Sequence, residues 1–186
     1  MPGPTTTYKA VKRCHHPIPT IDDVLPELSN AKVFTKVDCS NGYWQVKLDD
    51  ESSLFTTFNT PFGRFKWKRM PFRIAPAGEI FQQRLDRAID DLEGVRTVAD
   101  DILITGNGVT LEEATADHDL KIKRLFKRCR AKQIKLNSSK IEFKKISMPY
   151  IGHILTPYSV KADPAKVKAI VEMKQPSDVA GVRRIL

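Results

Sequence analysis

Long apolar runs and cysteines are scarce in this sequence, and each absence narrows the class of protein. No apolar run reaches the roughly 20 residues that a membrane-spanning helix requires, and the first seven residues are polar rather than the start of a secretory signal. The three cysteines are odd in number and widely spaced, which argues against a disulfide framework. We therefore predict a soluble intracellular protein that is neither secreted nor membrane-bound.

The Cys14-His15-His16 cluster suggests a zinc site at first sight. No second pair of ligands lies at the spacing of a zinc finger, so we do not expect a metal there. The sequence also lacks internal repeats and low-complexity tracts. These observations favour an ordinary globular protein over a small metal-stabilised module.

The charge balance is basic. Hydrophobic residues make up 41% and charged residues 28% of the 186 residues, and the net charge is +9. Lys and Arg gain affinity for polyanions by releasing counterions from phosphates, so this charge favours a nucleic-acid partner. Basicity that serves solubility alone is the alternative, and charge by itself does not decide between the two.

The first half of the chain alternates between strand patterns and turn residues. A proline-containing arm without a strong period covers residues 1–20, and a short helix is predicted at residues 21–28. Strands are predicted at residues 33–38, 44–48 and 55–59.

A basic strand pattern follows a predicted turn at residues 60–63. There, Arg64, Lys66 and Lys68 alternate with Phe65 and Trp67, so the basic side chains share one face of a strand. A basic face backed by aromatic residues suits a nucleic-acid backbone. A solvated edge strand protected by charge would show the same pattern, and this alternative stays open.

The second half of the chain shows longer helical patterns. Helices are predicted over residues 77–92, from the capping pair Thr110 and Glu113 to about residue 130, from Asp163-Pro164 onward, and from about residue 177. Short strands are predicted at residues 95–98, 102–105, 134–136, 141–144 and 150–155. The order of these elements favours an α+β fold of the ferredoxin-like split βαβ type, with an antiparallel sheet backed by helices.

Three acidic residues stand out because each ends or interrupts an apolar strand. Asp100 and Asp101 lie between two apolar runs, and Asp38 ends the strand at residues 33–38. In the predicted fold Asp38 faces Asp100, and Asp101 contributes from the turn. Converging carboxylates repel one another unless divalent cations bind them, and two metals about 4 Å apart promote in-line phosphoryl transfer. An Asp-Asp pair is more often a surface turn, so the pattern alone is weak evidence.

Read along its whole length, the sequence resembles the reverse transcriptases of gypsy-class long-terminal-repeat retrotransposons. The resemblance covers nearly everything after residue 8, with its motifs in the family's order and spacing. The matching stretches are HPIPTIDD (16–23), VFTKVD (33–38), NGYWQ (41–45), TTFNTPFGR (56–64), MPF (70–72), EIFQ (79–82), ADDIL (99–103), YIGH (150–153), DPAKV (163–167) and DVAGVRR (178–184).

The resemblance implies a right-hand polymerase that uses two Mg²⁺ ions, for which Mn²⁺ can substitute. Its expected ligands are an RNA or DNA template with a primer and deoxynucleoside triphosphates. Such domains normally sit in a polyprotein with RNase H and integrase, in cytoplasmic virus-like particles or the nucleus. The implied division is an arm and partial fingers (1–30), palm (31–45), fingers (46–76), palm with primer grip (77–158) and the start of a thumb (159–186).

The resemblance also assigns roles to particular residues. Asp38, Asp100 and Asp101 match the catalytic carboxylates, and the main chain of Cys39 matches a carbonyl that touches metal. The remaining matches are to the nucleotide site and to the hairpin that grips the primer end. They are Ser40, Asn41 and Gly42 at the triphosphate turn, Tyr43 at the sugar 2′ position, Phe72 with Arg73 at the nucleotide pocket, and Ile151, Gly152 and His153 at the primer grip.

Two departures from the family pattern bear on activity. Arg73 stands where the family has glycine after Pro-Phe, and its bulk is expected beside the nucleotide pocket. The upstream fingers strand and most of the thumb are not matched, which favours a partial copy with reduced or no activity. The alternatives are a non-catalytic basic module that binds nucleic acid with a relict site, and a small metal-dependent nuclease, which would not need Tyr43 or the primer-grip hairpin.

Overall fold

The computed structural model describes residues 15–28, 30–173 and 178. Its α-helices are α1 (Ile21–Val24), α2 (Asp50–Phe55), α3 (Ala77–Ile89), α4 (Leu111–Lys132) and α5 (Pro164–Val171), with 3-10 turns at Leu25–Leu28, Gly42–Gln45 and Ser138–Lys140. Its strands are β1 (Ala31–Asp38), β2 (Phe58–Thr60), β3 (Gly63–Phe65), β4 (Val95–Val98), β5 (Asp101–Asn107), β6 (Glu142–Lys145), β7 (Met148–Tyr150), β8 (His153–Leu155) and β9 (Val160–Ala162).

A four-stranded antiparallel sheet in the order β4-β5-β1-β6 forms the centre of the protein. Strand β1 pairs with β5 along its length, and β4 and β5 form the predicted hairpin. Two smaller sheets accompany it, the β2-β3 hairpin and the three-stranded β7-β8-β9 meander. The predicted α+β class with an antiparallel sheet and helices is therefore confirmed.

The sheet separates two apolar clusters, because side chains alternate between its faces along each strand. Val37 and Ile102 face α3 and α4, where Phe81 and Leu125 complete the cluster. The second cluster involves the intervening residues of the same strands and the β7-β8-β9 meander. Its buried members are Val24, Leu28, Ala31, Phe34, Leu103, Met148, Tyr150 and Leu155.

Helix α4 packs unusually close to the sheet. Its start is fixed by the predicted capping box, in which Thr110 accepts from the Glu113 backbone and Glu113 accepts from the Thr110 backbone. A Cβ at Gly106 on β5 would come within 2.2 Å of the Ala114 carbonyl oxygen, so only glycine permits this approach. The buried His118 hydrogen-bonds Thr35 on β1 at 2.8 Å, which ties the helix to the same strand that ends at Asp38.

Several local predictions are wrong. Residues 44–48 do not form a strand, because the chain winds into the 3-10 turn Gly42–Gln45 and keeps only an isolated bridge between Lys47 and Arg69. The strand predicted at residues 55–59 is replaced by helix α2 and the short β2, since the Asp49 side chain accepts from the Ser52 N–H and caps a helix there.

The later strands are also shorter than predicted. Residues 134–136 contribute only an isolated bridge from Leu136 to Cys39, and residues 150–155 are divided by a tight turn between β7 and β8. Helix α3 ends at Ile89, three residues before the predicted end, while α4 extends to Lys132. The helix predicted from about residue 177 and the arm at residues 1–14 lie outside the described residues. Within the described part of the chain, none of the helices has the length and apolarity to cross a membrane.

Candidate active site at the end of the sheet

The three acidic residues lie at one end of the central sheet. Asp38 and Asp101 are register partners on β1 and β5, so their Cα atoms are about 4.5–5.5 Å apart and their side chains share one face. Asp100 occupies the turn just before β5, and its carbonyl accepts from the Cys39 N–H at 3.1 Å. The expected pairing is therefore wrong in detail: Asp101, not Asp100, lies opposite Asp38, and Asp100 is the residue in the turn.

Asp100 occupies an environment that disfavours its charge. Burial raises the pKa of its carboxyl, and the negative charges of Asp38 and Asp101 raise it further. Its Oδ1 atom is buried and has no hydrogen-bond partner among the described residues. A Cβ at Gly42 would come within 3.1 Å of that oxygen, so the glycine leaves room for it. Burial likewise raises the pKa of the Asp101 carboxyl, with Lys36 acting in the opposite direction.

A second lysine, Lys140, contacts this acidic cluster directly. It lies in the 3-10 turn after α4, with its Nζ 3.0 Å from Asp38 Oδ2, and its hydrogen bond to Asp38 and the charge of that carboxylate raise its pKa. Among the residues described, no three His, Cys, Asp or Glu side chains are already gathered to hold a metal ion. The unpartnered oxygen of Asp100 and the cation on Asp38 nevertheless fit a divalent ion, because hard carboxylate oxygens suit Mg²⁺ and Mn²⁺.

The turn at residues 40–42 lies beside the acidic cluster. Asn41 adopts a left-handed conformation (φ 50°, ψ 51°) and Gly42 is buried. The Ser40 N–H donates to the Lys135 carbonyl oxygen at 2.9 Å, so it is already engaged and does not contribute to an open anion-binding turn. The Cys39 carbonyl lies directly after Asp38 in the chain, and the Cys39 thiol is buried, which raises its pKa to about 12.

Aromatic rings line the path from this turn toward the β2-β3 hairpin. Tyr43 packs against Phe72 and Phe81, with ring centroids 5.4 and 5.8 Å apart. Trp44 packs against both Phe72 and Trp67 and so connects these two rings. Phe72 is half exposed, so it presents an open aromatic surface next to Tyr43. Burial raises the pKa of the Tyr43 hydroxyl, and the charge of Asp100 adds to this effect.

Arg73 follows Phe72 with a φ of 67°, in the region that favours glycine. It is exposed, and it occupies the position at which the family pattern has glycine. The backbone thus retains the glycine-like conformation while carrying a long basic side chain. This left-handed conformation costs a non-glycine residue about 1–2 kcal/mol.

The predicted basic face is exposed but is not a continuous strand. Arg64 lies on β3, which ends at Phe65, so Lys66 and Lys68 lie beyond the strand. Phe65 stacks on Phe58 across the hairpin, at a centroid distance of 6.2 Å. The three cations are therefore exposed and interspersed with aromatic residues along the chain, but they do not share one face of a strand.

The hairpin between β7 and β8 turns at Ile151 and Gly152. Both residues have positive φ (46° and 74°), as a two-residue turn of the I′ class requires, and His153 Nδ1 lies 3.0 Å from the Ile151 carbonyl oxygen. Tyr150, just before the turn, is buried, and both burial and the charge of Asp101 raise its pKa. The hairpin therefore approaches the acidic end of the sheet from the face on which Asp38 and Asp101 lie.

Two features of the site were not anticipated from the sequence. Lys140 is separated from Asp38 by 102 residues, and no local pattern marks the pair. Gln82 on α3 is fully buried and accepts from the Ala99 N–H at 2.7 Å, beside Asp100. The contact of Gln82 could have been suspected from the sequence, because this polar residue lies among the apolar positions of α3.

Comparison with known proteins places this geometry in a family. Residues 5–155 match the family described as reverse transcriptase (RNA-dependent DNA polymerase). The chain belongs to the reverse transcriptase family. It is 32% identical over 173 residues to the retrovirus-related Pol polyprotein from transposon 297 of Drosophila melanogaster, covering 92% of this chain and 16% of that protein. The Pol polyprotein from transposon gypsy of the same species gives the same values.

Similar sequences and structures extend beyond insect transposons. The enzymatic polyprotein of Cauliflower mosaic virus (strain Strasbourg) is 32% identical over 150 residues, which are 78% of this chain and 21% of that protein. The foamy viral protease-reverse transcriptase dRH, solved with double-stranded DNA, superposes with a TM-score of 0.81 at 17% identity over 97% of this chain and 31% of that chain. The corresponding protein in complex with an RNA/DNA hybrid gives a TM-score of 0.77, covering 97% and 24%.

These comparisons define what this reverse transcriptase domain shares with its relatives. The predicted family and fold class are confirmed. The chain spans only 16% of the transposon polyproteins and 21% of the viral one. Reverse transcriptases generally use divalent metal ions, and the candidate ligands here are the carboxylates of Asp38, Asp100 and Asp101.

Proposed function

We propose that this domain performs template-directed DNA synthesis by nucleotidyl transfer, with Asp38, Asp100 and Asp101 as its catalytic carboxylates. The observation that carries the proposal is the pairing of Asp38 with Asp101 across two strands, with the buried, unpartnered oxygen of Asp100 beside them. Two divalent ions, Mg²⁺ or Mn²⁺, would stabilise the charge on the attacking and leaving oxygens when bound. The chain's own part is to hold oxygen ligands in a partly buried pocket.

The surroundings of the carboxylates fit a nucleotide and a primer end. Tyr43 and Phe72 offer aromatic surface for the sugar and base, and Gly42 keeps the backbone close to Asp100. Arg73 lies where its charge can contact phosphate or its bulk can restrict entry. The Ile151-Gly152-His153 turn is the candidate primer grip, because it lies on the face of the sheet that carries Asp38 and Asp101.

The remaining surface fits a nucleic-acid strand. Arg64, Lys66 and Lys68 are exposed around the half-exposed rings of Phe65 and Trp67, and backbone phosphates combined with unstacked bases suit such a surface. We assign residues 31–45 and 77–158 to the palm and residues 46–76 to the fingers. From the family resemblance, we propose that the domain acts as part of a larger polyprotein with RNase H and integrase, in a cytoplasmic virus-like particle or in the nucleus.

A second function is favoured by a specific observation. Lys140 already neutralises Asp38, and Arg73 occupies the glycine position beside the candidate nucleotide site. A relict of a polymerase that binds nucleic acid without catalysis would tolerate both features. The two functions differ in metal binding and in primer extension, but both predict nucleic-acid binding.

Primer extension by the purified 186-residue protein, with an RNA template, a DNA primer, and Mg²⁺ or Mn²⁺, tests the proposal. We expect slow extension that is abolished by Asp38→Asn. The matched control is Asp50→Asn, because Asp50 is an exposed acid on α2 and takes no part in the cluster. Primer extension that survives Asp38→Asn would contradict the catalytic role of Asp38. If the wild-type protein shows neither primer extension nor detectable Mn²⁺ binding, the non-catalytic relict is favoured.

Binding to a primer-template duplex is measured separately by fluorescence anisotropy. The logarithm of affinity should fall linearly with the logarithm of salt concentration, because Lys and Arg release counterions from phosphates. The triple variant Arg64→Gln, Lys66→Gln, Lys68→Gln should reduce the slope by about two to three, at roughly 0.9 per lost phosphate contact. A slope unchanged in that variant would remove the basic surface from the interface.

A further inference from the structure

The side chain of Gln82 connects helix α3 to the turn that carries Asp100. It is fully buried, and its Nε2 donates to Asp86 Oδ1 and to Thr97 Oγ1, each at 2.8 Å. Its Oε1 accepts from the Ala99 N–H at 2.7 Å. Both donor hydrogens and the acceptor of the amide are therefore used, which makes the contact to the turn directional.

The residue that Gln82 holds is conformationally strained. Ala99 has a φ of 53°, a left-handed conformation that costs a non-glycine residue about 1–2 kcal/mol. The next residue is Asp100, whose carbonyl accepts from the Cys39 N–H at 3.1 Å on the opposite side. The turn is thus held by α3 at Ala99 and by the end of β1 at Asp100.

Asp86 fixes which end of the Gln82 amide faces the turn. An ionised carboxylate can only accept hydrogen bonds, so the amide must present its NH₂ group to Asp86 and its oxygen to the Ala99 N–H. Asp86 is itself held, since His16 Nε2 lies 2.8 Å from Oδ2 and the Thr97 hydroxyl donates to Oδ1. A side chain without this polarity at position 82 would leave the Ala99 N–H without its acceptor.

We propose that Gln82 is a positioning residue that holds the Asp100-Asp101 turn in its metal-binding conformation, with Asp86 setting the orientation of the amide. The inference rests on the proposed function, because it assigns a purpose to the turn that carries two of the candidate metal ligands. Outer-shell partners of metal ligands act through orientation, and their loss typically lowers metal affinity about 10–100-fold. Gln82 acts one residue earlier, on the backbone of the turn.

The test combines two measurements on the full chain: Mn²⁺ affinity by electron paramagnetic resonance and amide hydrogen exchange at Ala99 by NMR. Gln82→Met keeps the length of the side chain but removes all its hydrogen bonds. We expect it to weaken Mn²⁺ binding about tenfold, at the lower end of outer-shell effects, and to accelerate exchange at Ala99. The control Thr97→Val removes the Thr97 hydroxyl from the same network but leaves the bond from the Ala99 N–H to Gln82, so it should change both readouts less than Gln82→Met does.

A reciprocal exchange separates orientation from packing. Gln82→Glu places two carboxylates against each other and should weaken Mn²⁺ binding. Adding Asp86→Asn supplies an NH₂ group at position 86 that can donate to the new carboxylate at position 82. We expect the double variant to recover most of the Mn²⁺ affinity and most of the protection of the Ala99 amide from hydrogen exchange. Failure of the double variant to recover either would overturn the assigned role of Asp86.

The outcomes also separate this inference from the proposed function. If Gln82→Met leaves the exchange rate of the Ala99 amide unchanged, the positioning role is overturned whatever the metal does. If wild-type protein binds Mn²⁺ no better than Asp38→Asn does, the proposed metal site fails. In that case, accelerated exchange of the Ala99 amide in Gln82→Met would show that Gln82 stabilises the conformation of the turn without serving a metal site. Tight Mn²⁺ binding with no change in Gln82→Met overturns the inference and leaves the metal site intact.

Discussion

Replacing Arg73 with glycine should stabilise this domain, although most substitutions of an ordered residue do the opposite. Arg73 has a φ of 67°, and the left-handed conformation costs a non-glycine residue about 1–2 kcal/mol. Glycine loses more backbone entropy on folding, by about 0.5–1 kcal/mol, which offsets part of the gain. The net gain should be about 0.5–1 kcal/mol, and for a chain of this size it raises Tm by about 1–4 °C.

Urea and thermal unfolding, followed by circular dichroism, measure this gain. Lys66→Gly is the matched control, because it removes an exposed basic residue that does not have a positive φ. It should lower the free energy of unfolding, so the two glycine variants should change stability in opposite directions. Arg73→Ala removes the side chain and keeps the strain, and it should therefore fall below Arg73→Gly. If Arg73→Gly and Lys66→Gly destabilise the protein equally, the argument from backbone strain is refuted.

Three further substitutions test other parts of the site. Ile151→Asn should raise the free energy of unfolding by about 1 kcal/mol in urea titrations, because Asn before Gly152 suits a type I′ turn and β-branched Ile at φ 46° does not. Asp101→Asn should raise Tm at pH 7 without metal, because burial raises the folded-state pKa of Asp101 and its ionised carboxylate therefore destabilises the fold. The difference in Tm between the variant and wild type should shrink as pH falls toward 3.8, the pKa of the unfolded state. A difference in Tm that does not change with pH would contradict this reasoning. Lys140→Gln should tighten Mn²⁺ binding about twofold to fivefold in titrations, because an exposed ion pair competes for Asp38, and unchanged or weaker binding would count against that competition.

Local sequence patterns were sufficient to predict a helix where residues within or next to that helix determine its boundaries. The capping box of Thr110 and Glu113 marked the start of α4, and helical spacing identified α3 to within three residues of its end. The prediction from local pattern failed at residues 44–48, where the ring of Trp44 packs against Phe72 and Trp67 from later in the chain. Polar and apolar residues alternate over residues 44–48, but Trp44 and Gln45 lie in a 3-10 turn and only Lys47 makes an isolated bridge.

In the candidate site, too, some features follow from the sequence and others only from the tertiary structure. Asp38, Asp100 and Asp101 stood out in the sequence, because a carboxylate that ends or interrupts an apolar strand is costly without a counter-charge or metal. That pattern alone was weak evidence, and their catalytic role was predicted from the resemblance to the family. Only the tertiary structure decided that Asp101 lies opposite Asp38, since the register between β1 and β5 depends on pairing over more than 60 residues of chain. Lys140 and the Gln82 network depend on the same folding, because a hydrogen bond forms only when the chain brings donor and acceptor within about 3 Å.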